Sequence, residues 1–171
     1  IVRDVGLSVS GLLNRTIGGP SVFPPQPDGA GRVTQVDRKW TAATGADRYR
    51  RGMYTYFWRS SPHPGLMVFD APDSTTSCSK RNRSNTPLQA LTLLNDEAFY
   101  EFAQGLAARI LKESPSDRSK RLGYAFRVGL GREPKPKEQE RMENFLVGQR
   151  EDFMRNPREA ATALSLELPP E

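Results

Sequence analysis

The chain has 171 residues, 36% of them hydrophobic, and carries a formal net charge of +5. That is the length of one ordinary domain with a modest core. A lone cysteine, Cys78, excludes an internal disulfide, and without a C-x-x-C pair there is no zinc, dithiol-redox or haem-attachment motif.

The opening stretch, Ile1-Val2 to Leu12-Leu13, has helical apolar spacing but lacks the basic leader and cleavage site of a signal peptide. Because it starts at Ile1, the chain reads as a piece of a longer protein. No apolar run approaches the ~20 residues of a membrane helix, so no membrane span is expected. Gly18-Gly19-Pro20-Ser21-Val22-Phe23-Pro24-Pro25-Gln26-Pro27 must be extended, since proline fixes φ and disfavours helix in the residue before it. It is read either as a strap pinned by Val22 and Phe23 or as a polyproline ligand for a partner.

Residues 37–84 carry the charge excess, with nine basic against four acidic side chains. Arg50 to Arg59 is rich in aromatics, which favours a strand, although a buried helix fits the same pattern. Arg48, Arg50 and Arg51 alternate there with Tyr49, Tyr54, Tyr56 and Trp58. Guanidinium forks match carboxylate, phosphate or sulfate oxygens and stack on rings, so the segment is a candidate anion-binding face, with Arg81 and Arg83 further along. The competing reading is internal. A Pro/Gly-rich chain leaves many carbonyls without regular partners, and arginines can tie them together with Asp47, Asp70 and Asp73. No nucleic-acid motif accompanies the charge, so nucleic acid is not an expected partner.

From Thr86 onward the sequence is helical. Thr86-Pro87 is an N-cap followed by proline at the first helical position. Leu91, Leu94, Ala98, Phe102, Leu106 and Ile110 then recur at three- or four-residue steps, predicting one long helix with a core-facing stripe that Pro115 ends. Asp117 opens a second helix with Leu122, Ala125, Phe126 and Leu130 inward. A third shows Met142, Phe145, Leu146, Gln149 and Phe153 on one side and stops near Asn156-Pro157. Candidate chemistry is sparse. His63, the only histidine, lies between prolines. Cys78 sits next to Lys80 and Arg81, which could lower its pKa, and it reads mainly as a packing residue. Acidic pairs on the helices read as solvated faces.

Several motifs fall in an order that resembles a known domain. They are Gly18-Gly19-Pro20-Ser21-Val22 with Pro24-Pro25-Gln26-Pro27-Asp28-Gly29, and Trp40-Thr41 with Asp47-Arg48-Tyr49-Arg50-Arg51-Gly52-Met53-Tyr54. Phe69-Asp70-Ala71-Pro72, Cys78 and Asn85-Thr86-Pro87-Leu88-Gln89-Ala90-Leu91 follow. From about Gly11 to Phe153 the chain resembles a planctomycete-specific domain of unknown function that follows cytochrome c domains in very large proteins. The resemblance implies an extracytoplasmic, exported parent with haem c elsewhere in it, no cofactor in this segment and no known catalytic residue. It also implies that domain segments precede Ile1 and follow Glu171. Asp73-Ser74-Thr75-Thr76-Ser77 departs from the family's usual pattern, which weakens that loop as a site.

The expected fold is mainly α: an antiparallel helical cluster at about 87–155, with an extended Pro/Gly-rich strap and a small β or extended element before it. The chain is expected to be one fragment of a larger domain. The expected role is a non-catalytic module in which Arg48, Tyr49, Arg50, Arg51, Trp58, Arg81 and Arg83 engage an anionic partner or polysaccharide. Two alternatives stay open. One is part of a polysaccharide-acting hydrolase or oxidoreductase, with Asp70, Cys78, Arg81 and Asn85 in its site. The other is a purely structural domain packed against the cytochrome domain.

Overall fold

The structure is a computed structural model that describes residues 1–30, 39–80, 82, 84–114 and 117–164. It divides into two compact units, Ile1–Ala103 and Gln104–Glu171. The architecture is mainly helical, as the apolar periodicity predicts. The expected β element is smaller than a strand: among the described residues the only pairing is two isolated parallel bridges, Asn14 with Arg50 and Val22 with Thr55.

In the first unit, α1 (Val2–Ser10) ends at Gly11, whose φ of 81° is the left-handed conformation that terminates helices. Leu7 of α1 is completely buried and forms the core with Tyr49, Ala98 and Phe102. Gly6 is required for this approach, because a Cβ there would lie 2.7 Å from Phe102 Cδ2. The strap then crosses the unit as predicted. Val22 exchanges backbone hydrogen bonds with Tyr54 and Tyr56, both 2.8 Å, and Pro24 is fully buried.

The Arg50–Arg59 segment is not a strand. It runs from the short helix α2 (Gly45–Arg48) through a 3-10 turn, Gly52–Tyr54, into extended chain. The aromatic content that suggested a strand serves a ring cluster instead. Phe23 stacks on Tyr56 at 5.0 Å, and Trp40 meets Phe23, Trp58 and His63 at 5.0, 5.4 and 5.6 Å. Rings from the strap and from the segment thus interlock without needing a ladder of backbone bonds. The short helix α3 (Pro64–Met67) follows, capped by His63.

The single long helix expected from Thr86 is two helices, α4 (Pro87–Asn95) and α5 (Glu97–Glu113), broken at Asp96. The start is as predicted, with a reciprocal capping box between Thr86 and Gln89. The break is local chemistry. Asp96 takes extended backbone angles and its carboxylate accepts the Ala98 N–H at 3.0 Å, so it closes one helix and caps the next. The rotation at this break divides the apolar stripe. Ala98 and Phe102 are buried, whereas Leu91 and Leu94 face outward, Leu94 at 78% exposure.

The second unit begins within α5 and continues with α6 (Arg118–Leu130), α7 (Pro136–Arg155) and α8 (Pro157–Ala163), α7 contacting both neighbours. Asp117 caps α6 by accepting from the Lys120 N–H at 2.9 Å, and Gly131, at φ 69°, ends it. Leu122 is buried here, but Leu130 is exposed, as are Met142, Phe145, Leu146 and Phe153 of α7. The side of the third helix that Met142, Phe145, Leu146 and Phe153 share is therefore an exposed one. Pro115, expected to end the first helix, lies outside the described residues.

Candidate functional site

Arg48, Tyr49 and Arg50 were expected to present charge and rings to an external anion; the fold turns them inward. Glu101 of α5, only 3% exposed, receives Arg48 Nε on both carboxylate oxygens at 3.0 and 3.1 Å and the Tyr49 hydroxyl at 2.6 Å. Arg48 Nη2 also reaches Glu97 at 2.9 Å. Burial, and after it the hydrogen bond to Glu101, pushes the Tyr49 hydroxyl up to about 12. Arg3 of α1 completes the knot by donating to the Arg48 carbonyl at 2.7 Å, at the end of α2 where helix carbonyls lack partners.

Arg50 is 4% exposed, and its acceptors are backbone carbonyls. Its guanidinium donates to Pro20 O at 3.0 Å, Thr16 O at 3.3 Å and Gly18 O, while lying 3.7 Å from the centre of the Tyr54 ring. Tyr54 in turn accepts the Gly18 N–H at 2.9 Å. Gly18 and Gly19 both have φ near 80°, the left-handed region open to glycine. One planar fork thus closes a turn that has no secondary structure of its own. Internal cement, the competing reading of the arginines, holds for Arg48 and Arg50. The carboxylates used with Arg48 and Arg51 are Glu101, Glu97 and Asp4 rather than residues near the segment.

Arg51 is different. Its side chain is 50% exposed and 3.6 Å from Asp4, a contact worth little in water. Trp58 is half-buried in the ring cluster, at 5.9 Å from Tyr56. Arg81 and Arg83 lie outside the described residues.

Of the alternative constellation, Asp70, Cys78 and Asn85 lie among the described residues and Arg81 does not. Asp70, at φ 56°, accepts from both the backbone N–H and the hydroxyl of Ser84, at 3.0 and 2.7 Å. Gln89 donates to Ser84 Oγ and to Val68 O, which makes Asp70 part of the support for the start of α4. Cys78 is exposed and donates weakly to the Lys80 carbonyl, and Asn85 is exposed. His63 is buried, with both ring nitrogens engaged. Nδ1 accepts from the Gly65 N–H at 3.1 Å, and Nε2 donates to Pro25 O at 2.9 Å. No group of three or more His, Cys, Asp or Glu side chains converges among the described residues.

One cleft was not foreseen from the sequence. It measures about 450 Å3 and lies in the first unit between α1, the 3-10 turn and the Phe69–Ser74 loop. Its walls combine apolar side chains, among them Val2, Met53, Phe57, Leu66 and Phe69, with the Asp4 carboxylate. Arg3 and Thr55 line it too, and both also line a void of about 20 Å3 beside His63. Arg3 Nε and Thr55 Oγ1 are buried and have no hydrogen-bond partner. Sequence alone gave no signal for it, because its walls come from four separated stretches.

A family model described as PSD1, Protein of unknown function (DUF1553), matches residues 1–146. No curated protein and no solved structure matches the chain.

Two predictions follow from the inward-facing groups. Arg50→Lys keeps the charge but loses the fork, leaving at least one carbonyl of the Gly18 turn without a donor. It should lower stability by roughly 1–3 kcal/mol in denaturant unfolding, where an exposed arginine would tolerate the change. His63 has its pKa lowered, first by burial. The unfolded chain, near 6.5, therefore binds more protons than the folded one as pH falls. Stability should decline as pH drops below about 6.5 toward the lower folded value, and His63→Asn should remove that part of the pH dependence.

Proposed function

Because the chain belongs to the DUF1553 family, described only as proteins of unknown function, we propose its role from its geometry: a non-catalytic structural module that holds a neighbouring domain of a larger protein in place. The observation that carries this reading is the inward use of the central arginines. Arg48 and Arg50, the charges best suited to an external anion, are committed to Glu101, Glu97 and backbone carbonyls. Taking either away would open the fold before it altered a surface. The uncharged outward face of α4, with Leu88, Leu91 and Leu94, supports the same reading, since apolar side chains in a row are stable when a partner covers them.

The neighbour we propose is the haem c domain of an exported, multi-domain bacterial parent. Support for that identity, and for the extracytoplasmic setting, is the motif resemblance, from Gly18-Gly19-Pro20 to Asn85-Thr86-Pro87. No helix among the described residues is long and apolar enough to cross a membrane.

Recognition of an anionic polysaccharide is the second reading, and Arg51 favours it as the one half-exposed cation of the Arg48–Arg51 run. The two separate cleanly in the full-length parent. The structural reading predicts that backbone amides of α4 exchange more slowly in the parent than in the isolated chain, and that Leu94→Asp abolishes the difference. It also predicts no salt-dependent retention on sulfated or uronic polysaccharide. Retention that falls steeply with salt and is lost in Arg51→Ala, with α4 exchange equal in both proteins, would overturn it.

A further inference from the structure

Helix α7 of the second unit carries a row of apolar side chains that its own unit leaves uncovered. Met142, Phe145, Leu146 and Phe153 share one side of the helix and are between 36% and 56% exposed. Gln149 continues the row without a charge. A contiguous apolar row of this kind is stable when something packs on it. The charges beside it say what that is. At 3.6 residues per turn, Arg141 and Asp152 border the row on one edge, and Glu143 and Arg150 border it on the other.

Those charges are antisymmetric about the middle of the row. When α7 is turned end for end about the point between Leu146 and Val147, Arg141 falls opposite Asp152, Glu143 opposite Arg150, and Glu138 opposite Arg155. Glu140 and Glu151 lie on the far side of the helix, and no two like charges are brought together. Under a two-fold axis each edge of the row meets its own copy, so these matches are the contacts of a self-pair. A partner of unrelated sequence would call for complementary charge, but not for this reversal. The groups are also available. Among the described residues Arg141 and Arg150 make no ion pair, and Asp152 holds only an exposed contact with Arg155 at 3.5 Å. Glu143 accepts from Gln139 Nε2 at 3.0 Å and has a second carboxylate oxygen to offer.

We propose that α7 is a self-association surface, pairing antiparallel with α7 of a second copy of this chain. Met142 packs toward the partner's Phe153 and Leu146 toward the partner's Gln149, while charge pairs close both edges and set the direction of the pairing. The contact is one helix on one helix, which places it among small, reversible interfaces. This role goes beyond the structural one proposed above and stands or falls separately, since it uses α7 and not the α4 face.

Sedimentation of the full chain, from about 10 µM to about 1 mM, tests it. A monomer–dimer equilibrium is expected, and Phe145→Glu, at an exposed position, should abolish it over that range. Glu143→Arg and Arg150→Glu should each weaken the dimer about tenfold or more, because each sets like charges against one another twice. Mixing the two variants restores opposite charges at both places, so the mixture should dimerise about as well as the unaltered chain. Should Glu143→Arg fail to fold, Arg141→Glu mixed with Asp152→Arg makes the same test on the other edge. A chain that stays monomeric throughout, as when this face belongs to a different partner, would overturn the proposal. So would a dimer indifferent to Phe145→Glu, or a mixture that associates no better than its separate components.

Discussion

The Glu101 carboxylate is the constraint on which the first unit depends. It is buried on α5, and a lone carboxylate in that position would be prohibitively costly without cationic and hydrogen-bonding partners. Arg48 supplies the charge and Tyr49 a hydroxyl, so the irregular central segment must return to α5 at this point. Once Arg48 is fixed, its carbonyl is available to Arg3 and α1 is tied to the same knot. Leu7, Tyr49, Ala98 and Phe102 then close the core around it. Removing Arg48 leaves the buried Glu101 charge with only the Tyr49 hydroxyl, which is why polar residues here act as structural elements.

A second device works on the strap. Helices and sheets satisfy their own backbone, whereas the Thr16–Pro20 stretch does not, and its carbonyls that turn toward Arg50 take their donors from that side chain. Arg50 provides several from one side chain, Tyr54 covers its face, and Trp40 donates to Pro24 O further along at 2.8 Å. Lysine could not do this, because its ammonium is a point charge rather than a planar fork. The arginine enrichment of residues 37–84 is thus, at Arg48 and Arg50, the counterpart of the proline and glycine enrichment before it. Both follow from building a core with little regular structure.

Much of the architecture was legible in the sequence because it depends on local signals. Thr86-Pro87, Asp117 and Gly131 mark helix ends through capping chemistry confined to a few residues, and the prolines at 20, 24, 25 and 27 force an extended strap. What was not legible depends on distant partners. The period of Leu91, Leu94, Ala98 and Phe102 is continuous, but Asp96 can end one helix and cap another, and nothing in the spacing reveals the change of face. Likewise Met142, Phe145 and Phe153 form a regular stripe on α7, but periodicity says only that they share a side, not that anything covers it. For the candidate site the same limit applies. Sequence identified the arginines and aromatics as a set, but whether they face inward is decided by Glu101, more than fifty positions away from Arg48.

The central claim is that the charge of the middle segment is used to build the interior. A double-mutant cycle between Arg48→Met and Glu101→Leu, read by urea unfolding of the full chain, tests it most directly. The account predicts that each single change costs roughly 3–5 kcal/mol and that the double change costs less than their sum by about 1–3 kcal/mol, since removing both leaves no buried orphan charge. Single costs within about 0.5 kcal/mol that simply add, the behaviour of independent surface residues, would contradict it.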